Sequence, residues 1–129
     1  MDTKVNVHEA KKHLSKLLQR VINSESFIIA KGSNEIFLSA ASAWEIAIEV
    51  AKGRLTLPEP PDQYLADRMR LHRFSALPIE LGHALEVNRL PDIHQDPFTR
   101  LLIAQSQLED IPLLTTDPKI HRYQVEAIW

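Results

Sequence analysis

Three carboxylates sit where short apolar runs give way to helical patterns. Glu45 lies in Ser39-Ala40-Ala41-Ser42-Ala43-Trp44-Glu45, Asp96 in His94-Gln95-Asp96-Pro97-Phe98, and Asp117 in Leu113-Leu114-Thr115-Thr116-Asp117-Pro118. In an open α/β sheet the carboxyl ends of the strands gather in one crevice. Acids converging there offer hard oxygen ligands, the kind that Mg²⁺ or Mn²⁺ takes. A cation held that way can activate water and polarise a substrate oxygen. Each acid also has a structural reading. Ser42-x-x-Glu45 spells a capping box. Asp96 before Pro97 spells an N-cap followed by proline at N1. Asp117 before Pro118 can cap one last helical turn in the same way.

The elements that must position these acids follow from periodicity. Residues 3–7 alternate as a short strand. Leu14, Leu17, Leu18, Val21 and Ile22 recur at helical spacing and predict an amphipathic helix over about 8–22. Residues 27–30 and 35–40 read as strands able to pair as a hairpin around a turn at 31–34. A helix over 42–52 ends at Gly53, a suitable C′ residue. Pro58, Pro60 and Pro61 form a stiff connector, followed by a helix over 62–72 and a strand over 76–79. A helix over 81–90 stops at Pro91. Asp96-Pro97 opens another helix, with Phe98, Leu101, Leu102, Gln105 and Leu108 near one face. A strand over 111–115, a helical turn over 118–123 and a strand over 124–129 close the chain. Strands alternating with helices predict an α/β fold with a mostly parallel sheet covered on both faces.

Composition narrows the function. The chain has 129 residues, enough for one compact domain with its own core. It has no cysteine, so disulfides and thiolate zinc sites are excluded. No apolar run approaches a membrane span, and Glu9, Lys11 and Lys12 interrupt any signal-peptide pattern, so a cytoplasmic protein is expected. The formal net charge of −2 gives no general attraction for nucleic acid. The six histidines show no zinc spacing and read as surface or satisfied core residues. The arginines at 68, 70 and 73 read as a solvated helix face before a phosphate site. Trp44 and Trp129 read as core anchors before base-stacking platforms.

Three blocks carry a family resemblance. "FLSAASAWEIAIEVAKGRLTLPEPPDQYL", "LPDIHQDPFTRLLIAQSQLEDIPLLTTDP" and the closing "YQVEAIW" resemble the PIN-domain ribonuclease toxins of the VapC type, in the family's order over residues 34–129. The resemblance implies a PIN-like sheet flanked by helices, and an endoribonuclease that needs Mg²⁺ or Mn²⁺. It also implies an antitoxin partner and a homodimer. Glu45 and Asp117 match family acids that meet the metal, and Asp96 matches a residue beside the site. Residues 1–33, "VNVHEAKKHLSKLLQRVINSESFIIAKGS" above all, are similar to the start of Phd/YefM-type antitoxins. The expectation is a fusion: an antitoxin-like β-α-β segment over 1–33 and a truncated PIN-like domain over 34–129.

Two departures from the pattern bear on activity. PIN toxins carry an aspartate at the end of their first, central strand, and that strand is expected to be missing or replaced by the N-terminal segment. If residues 3–7 take the vacant place, Asn6 stands near the lost acid and offers a neutral carbonyl oxygen instead. A second family aspartate falls where this chain has Thr99. Removing two of about four acids takes away much of what draws a cation in. The expectation is therefore a PIN-type endoribonuclease with impaired activity. The alternative is a non-catalytic interaction, dimerisation or DNA-binding module, for which Lys4, Lys11, Lys12, Lys16 and Arg20 give the first helix a basic character.

Overall fold

The computed structural model of the chain describes residues 27–29, 36–114 and 118–128. Among the described residues five strands form one sheet in the order β3-β2-β1-β4-β5. Strand β1 is Phe27–Ile29, β2 is Ile36–Ser39, β3 is Phe74–Leu77, β4 is Leu113–Leu114 and β5 is Ala127–Ile128. The helices are α1 (Ala40–Ala51), α2 (Pro61–His72), α3 (Leu81–Glu86) and α4 (Pro97–Glu109). Single 3-10 turns follow α3 and β4, at Val87–Arg89 and Pro118–Arg122.

Four strands run parallel and one runs against them. β2 pairs with β3 in parallel, as β4 does with β5. β1 lies between β2 and β4 and is antiparallel to both, with Ile29 opposite Ile36 and Phe27 opposite Leu114. The hairpin and the mostly parallel sheet agree with the sequence reading. The centre of the described sheet is Phe27–Ile29, paired with β2 on one side and β4 on the other. One strand of the 1–33 segment is thus the middle of the sheet, and the two predicted segments share one sheet. Residues 3–7 and 8–22, with Asn6, lie outside the described residues.

Alternation along β2 covers both faces. Ile36 and Leu38 pack with Ile46, Leu55, Tyr64, Leu65 and Phe74 on one side. Phe37 joins Ala41, Leu90, Leu102, Ile103, Leu113, Ile120 and Tyr123 on the other. Period 2 in a strand sends successive side chains to opposite faces.

Several element boundaries move for local reasons. β3 spans Phe74–Leu77 rather than 76–79, because Pro78 has no N–H to donate to the ladder. α3 ends at Glu86 and tightens to 3-10 geometry ahead of Pro91. α2 starts with Pro61 at N1 and ends at Arg73, which takes the left-handed conformation with φ 61°. Gly53, with φ 74°, follows the C-cap Lys52 of α1, as expected of a C′ glycine.

Candidate functional site

α1 leaves the sheet directly from β2. Ser39, at the end of that strand, is the N-cap, and its Oγ accepts from the Ala41 N–H. The helix therefore starts three residues earlier than the capping box at Ser42 requires. Glu45 is the sixth residue of α1, not the third, so the reciprocal bond of a capping box is not its place. The side chain is half-buried.

α4 begins differently. Asp96 caps it with both carboxylate oxygens: Oδ1 accepts from the Phe98 N–H at 3.3 Å, and Oδ2 from the Thr99 N–H at 3.3 Å. The Thr99 hydroxyl donates to the same Oδ2 at 2.8 Å. Thr99 is only 8 % exposed. The predicted cap is present, and it engages the acid from three donors. That leaves Asp96 poorly placed to act as a metal ligand.

α1 and α4 pack side by side, and Trp44 meets Phe98 across the seam with ring centroids 5.1 Å apart. Helix positions 44 and 98 are thereby brought together. Trp44 is not the core anchor expected, since 58 % of it is exposed. Trp129 and Asp117 lie outside the described residues. The centre of the sheet, Phe27–Ile29, contains no acid. Oxygen donors suit Mg²⁺ or Mn²⁺ in type. Among the described residues, however, no three His, Asp or Glu side chains gather as an ion's ligands. The described residues alone do not make a cation site.

Two residues hold this edge together and carry no sequence motif. Gln105 of α4 is fully buried. Its Oε1 accepts from the Ser39 hydroxyl, and its Nε2 donates to the Pro78 carbonyl at 3.1 Å. One amide thus joins α4 to the ends of β2 and β3. A polar residue inside the apolar stripe of α4 was the only signal. Arg100 donates to the carbonyls of Val87 at 2.9 Å and Leu90 at 3.4 Å through Nη2. Through Nη1 it donates to those of Pro91 at 2.9 Å and His94 at 3.3 Å. A cation in the first turns of a helix opposes the macrodipole, and this carbonyl cluster accounts for it. Arg100 fixes the loop that delivers Asp96.

The remaining candidates take structural roles. His83 is 2 % exposed; its Nδ1 accepts from the Glu80 N–H at 2.9 Å, and its Nε2 lies 2.8 Å from Glu109 Oε2. Accepting at Nδ1 puts the proton on Nε2, so His83 ties α3 to α4. His94 stacks on Tyr123 and shares a 2.9 Å hydrogen bond with its hydroxyl. Arg68 lies 4.8 Å over the Tyr64 ring, and Arg70 pairs with Asp67 at 2.7 Å. These contacts match a solvated helix face. Glu49 pairs with Arg54 at 3.5 Å.

The family model for the PIN domain matches residues 5–126. The chain belongs to the PIN-domain family. The match covers nearly the whole chain and runs through residues 5–33, which the sequence reading set apart as antitoxin-like. Ribonuclease VapC16 of Mycobacterium tuberculosis (strain ATCC 25618 / H37Rv) is 42 % identical over 74 residues, 57 % of this chain and 51 % of that protein. The chain spans about half the length of this curated relative. No solved structure matches. Among the described residues, no helix is long and apolar enough to cross a membrane.

Proposed function

We propose that the chain is a toxin-type PIN endoribonuclease that hydrolyses RNA phosphodiesters at the carboxyl edge of its sheet. Glu45 and Asp117 are the acids assigned to Mg²⁺ or Mn²⁺. Activity is reduced because Thr99 stands where the toxins it resembles carry an aspartate. Asp96 serves the site as the cap of α4. The observation that carries the reading is the placement of Glu45. Ser39 caps α1, which leaves Glu45 further along the helix and next in sequence to Trp44, whose ring meets α4, in a family whose named relative here is a ribonuclease.

A second reading has an observation of its own. The Thr99 hydroxyl is buried and satisfied on Asp96, so a neutral network fills a place where a nuclease of this type needs charge. In that reading the chain is a non-catalytic interaction module, and a homodimer, an antitoxin-type partner and DNA contact through residues 1–33 belong to it. Calorimetric titration with Mn²⁺ separates the two. The nuclease reading expects binding in the native chain, loss in Glu45→Gln and tighter binding in Thr99→Asp, with Mn²⁺-dependent RNA cleavage in parallel. A native chain that binds no Mn²⁺ sinks the nuclease reading, and a gain confined to Thr99→Asp establishes a scaffold that has lost its cation.

A further inference from the structure

Trp44 breaks the burial pattern of its helix. Ala41, Ser42 and Ile46 of α1 are buried, whereas the Trp44 side chain stays mostly in water. An indole left in water gives up the stabilisation its burial would bring. The ring is nevertheless held in place. Phe98 meets it edge-on, with the ring planes at 73°, an arrangement that the aromatic quadrupoles favour. Phe98 is the second residue of α4, directly after Pro97 and under the Asp96 cap, so the support is itself fixed. The pair bridges the starts of the two helices that carry Glu45, Asp96 and Thr99.

We propose that Trp44, steadied by Phe98, is a stacking platform for a base of single-stranded RNA at the candidate site. The proposal rests on the nuclease reading for the identity of the strand. Aromatic rings hold unpaired bases by stacking, with little regard to sequence, because every base has a π-face. The surroundings favour a base over a protein side chain. The other exposed large apolar residues, Leu71, Leu81, Leu85 and Leu108, lie on α2, on α3 and near the far end of α4. Leu108 is ten residues along α4 from Phe98, roughly 15 Å, so among the described residues no exposed large apolar side chain of α4 extends the aromatic pair. Glu45 adjoins Trp44 in sequence and Glu49 follows one turn on. Carboxylates repel phosphates, and a neutral π-face is the contact a nucleic acid can still make beside them.

The experiment is equilibrium binding of a fluorescein-labelled single-stranded RNA, with chelator present so that no strand is cut. A strand of equal length built from abasic units serves as comparison. Trp44→Ala is expected to weaken binding of the intact strand about tenfold or more, with Trp44→Phe weakened less. The abasic strand is expected to bind the native chain no better than the intact strand binds Trp44→Ala. Equal affinity of native and Trp44→Ala for the intact strand overturns the proposal. So does an equal loss for intact and abasic strands, since that loss is not stacking. A smaller oligomer of Trp44→Ala in light scattering also overturns it and makes the ring a protein interface. Circular dichroism checks that the variants fold, and if Trp44→Ala does not, Trp44→Phe and the abasic comparison decide. Mn²⁺-dependent cleavage is scored separately. Cleavage without the Trp44 effect overturns this proposal alone, whereas the Trp44 effect without cleavage overturns the nuclease reading alone. RNA that binds no form of the chain overturns both.

Discussion

The starts of α1 and α4 solve the same problem with opposite assignments. Both helices begin at the candidate site and need acceptors for their first N–H groups. α1 gives that duty to Ser39, a neutral hydroxyl inherited from the end of β2, and carries its carboxylate further along at Glu45. α4 gives it to the carboxylate, Asp96, and places a hydroxyl, Thr99, where it adds a third donor to the same acid. A cap needs oxygens that backbone donors surround, whereas a metal ligand needs oxygens turned away from them. The same residue type therefore reads as chemistry on one helix and as architecture on the other.

The strongest way to break this contrast is to cut what holds the two helix starts in one frame. Gln105 links α4 to Ser39 and Pro78 while fully buried. Gln105→Leu keeps the volume but leaves the buried Ser39 hydroxyl without an acceptor and the Pro78 carbonyl, at an exposed residue, without its side-chain donor. A buried donor left without a partner costs about 1–3 kcal/mol, so a loss of about 2–3 kcal/mol is expected in urea denaturation. A loss below about 1 kcal/mol would mean that α4 is pinned by its apolar face alone. Arg100→Ala ranks next, at about 2 kcal/mol. Its four carbonyl partners lie in a half-buried loop that water can reach once the guanidinium is gone. The expected signature is faster amide exchange confined to residues 87–96. Uniform exchange across the chain would remove Arg100 from its role as the support of the Asp96 loop.

How much of this contrast the sequence shows depends on how local the cause is. The Asp96-Pro97 cap is legible because an N-cap and a proline at N1 are adjacent in the chain. Gly53 is legible for the same reason. The hairpin of β1 with β2 follows from two apolar runs around a turn, and the parallel sheet from the alternation of strand and helix. What stays hidden depends on distant partners. Gln105 looks like a slip in an apolar stripe until Ser39 and Pro78, 66 and 27 residues away, arrive beside it. Trp44 reads as a core residue by type, and only the packing of α1 on the sheet turns it outward. Ser39 displaces Ser42 as the cap because β2 runs straight into α1 without a loop. Connectivity favours the pairing of β1 with β2, because a hairpin brings 27–29 beside 36–39 at small entropic cost.

The smallest expected effect gives the sharpest comparison. Asp96→Ala removes the cap and leaves the Thr99 hydroxyl without its acceptor, so about 1–2 kcal/mol of stability is lost. Asp96→Asn is different. Asparagine caps as well as aspartate, so stability should change by only a few tenths of a kcal/mol, while the charge is gone. If Asp96 is a cap and nothing more, Asp96→Asn leaves Mn²⁺ affinity close to native, and Asp96→Ala lowers it only as far as α4 frays. If Asp96 reaches the ion, the neutral amide loses the charge that binds it, and affinity falls at unchanged stability. Thermal melts and calorimetry on the two variants therefore separate cap from ligand. Loss of Mn²⁺ binding in a fully stable Asp96→Asn would abolish the contrast between the two helices, because both would then present a carboxylate to the same cation.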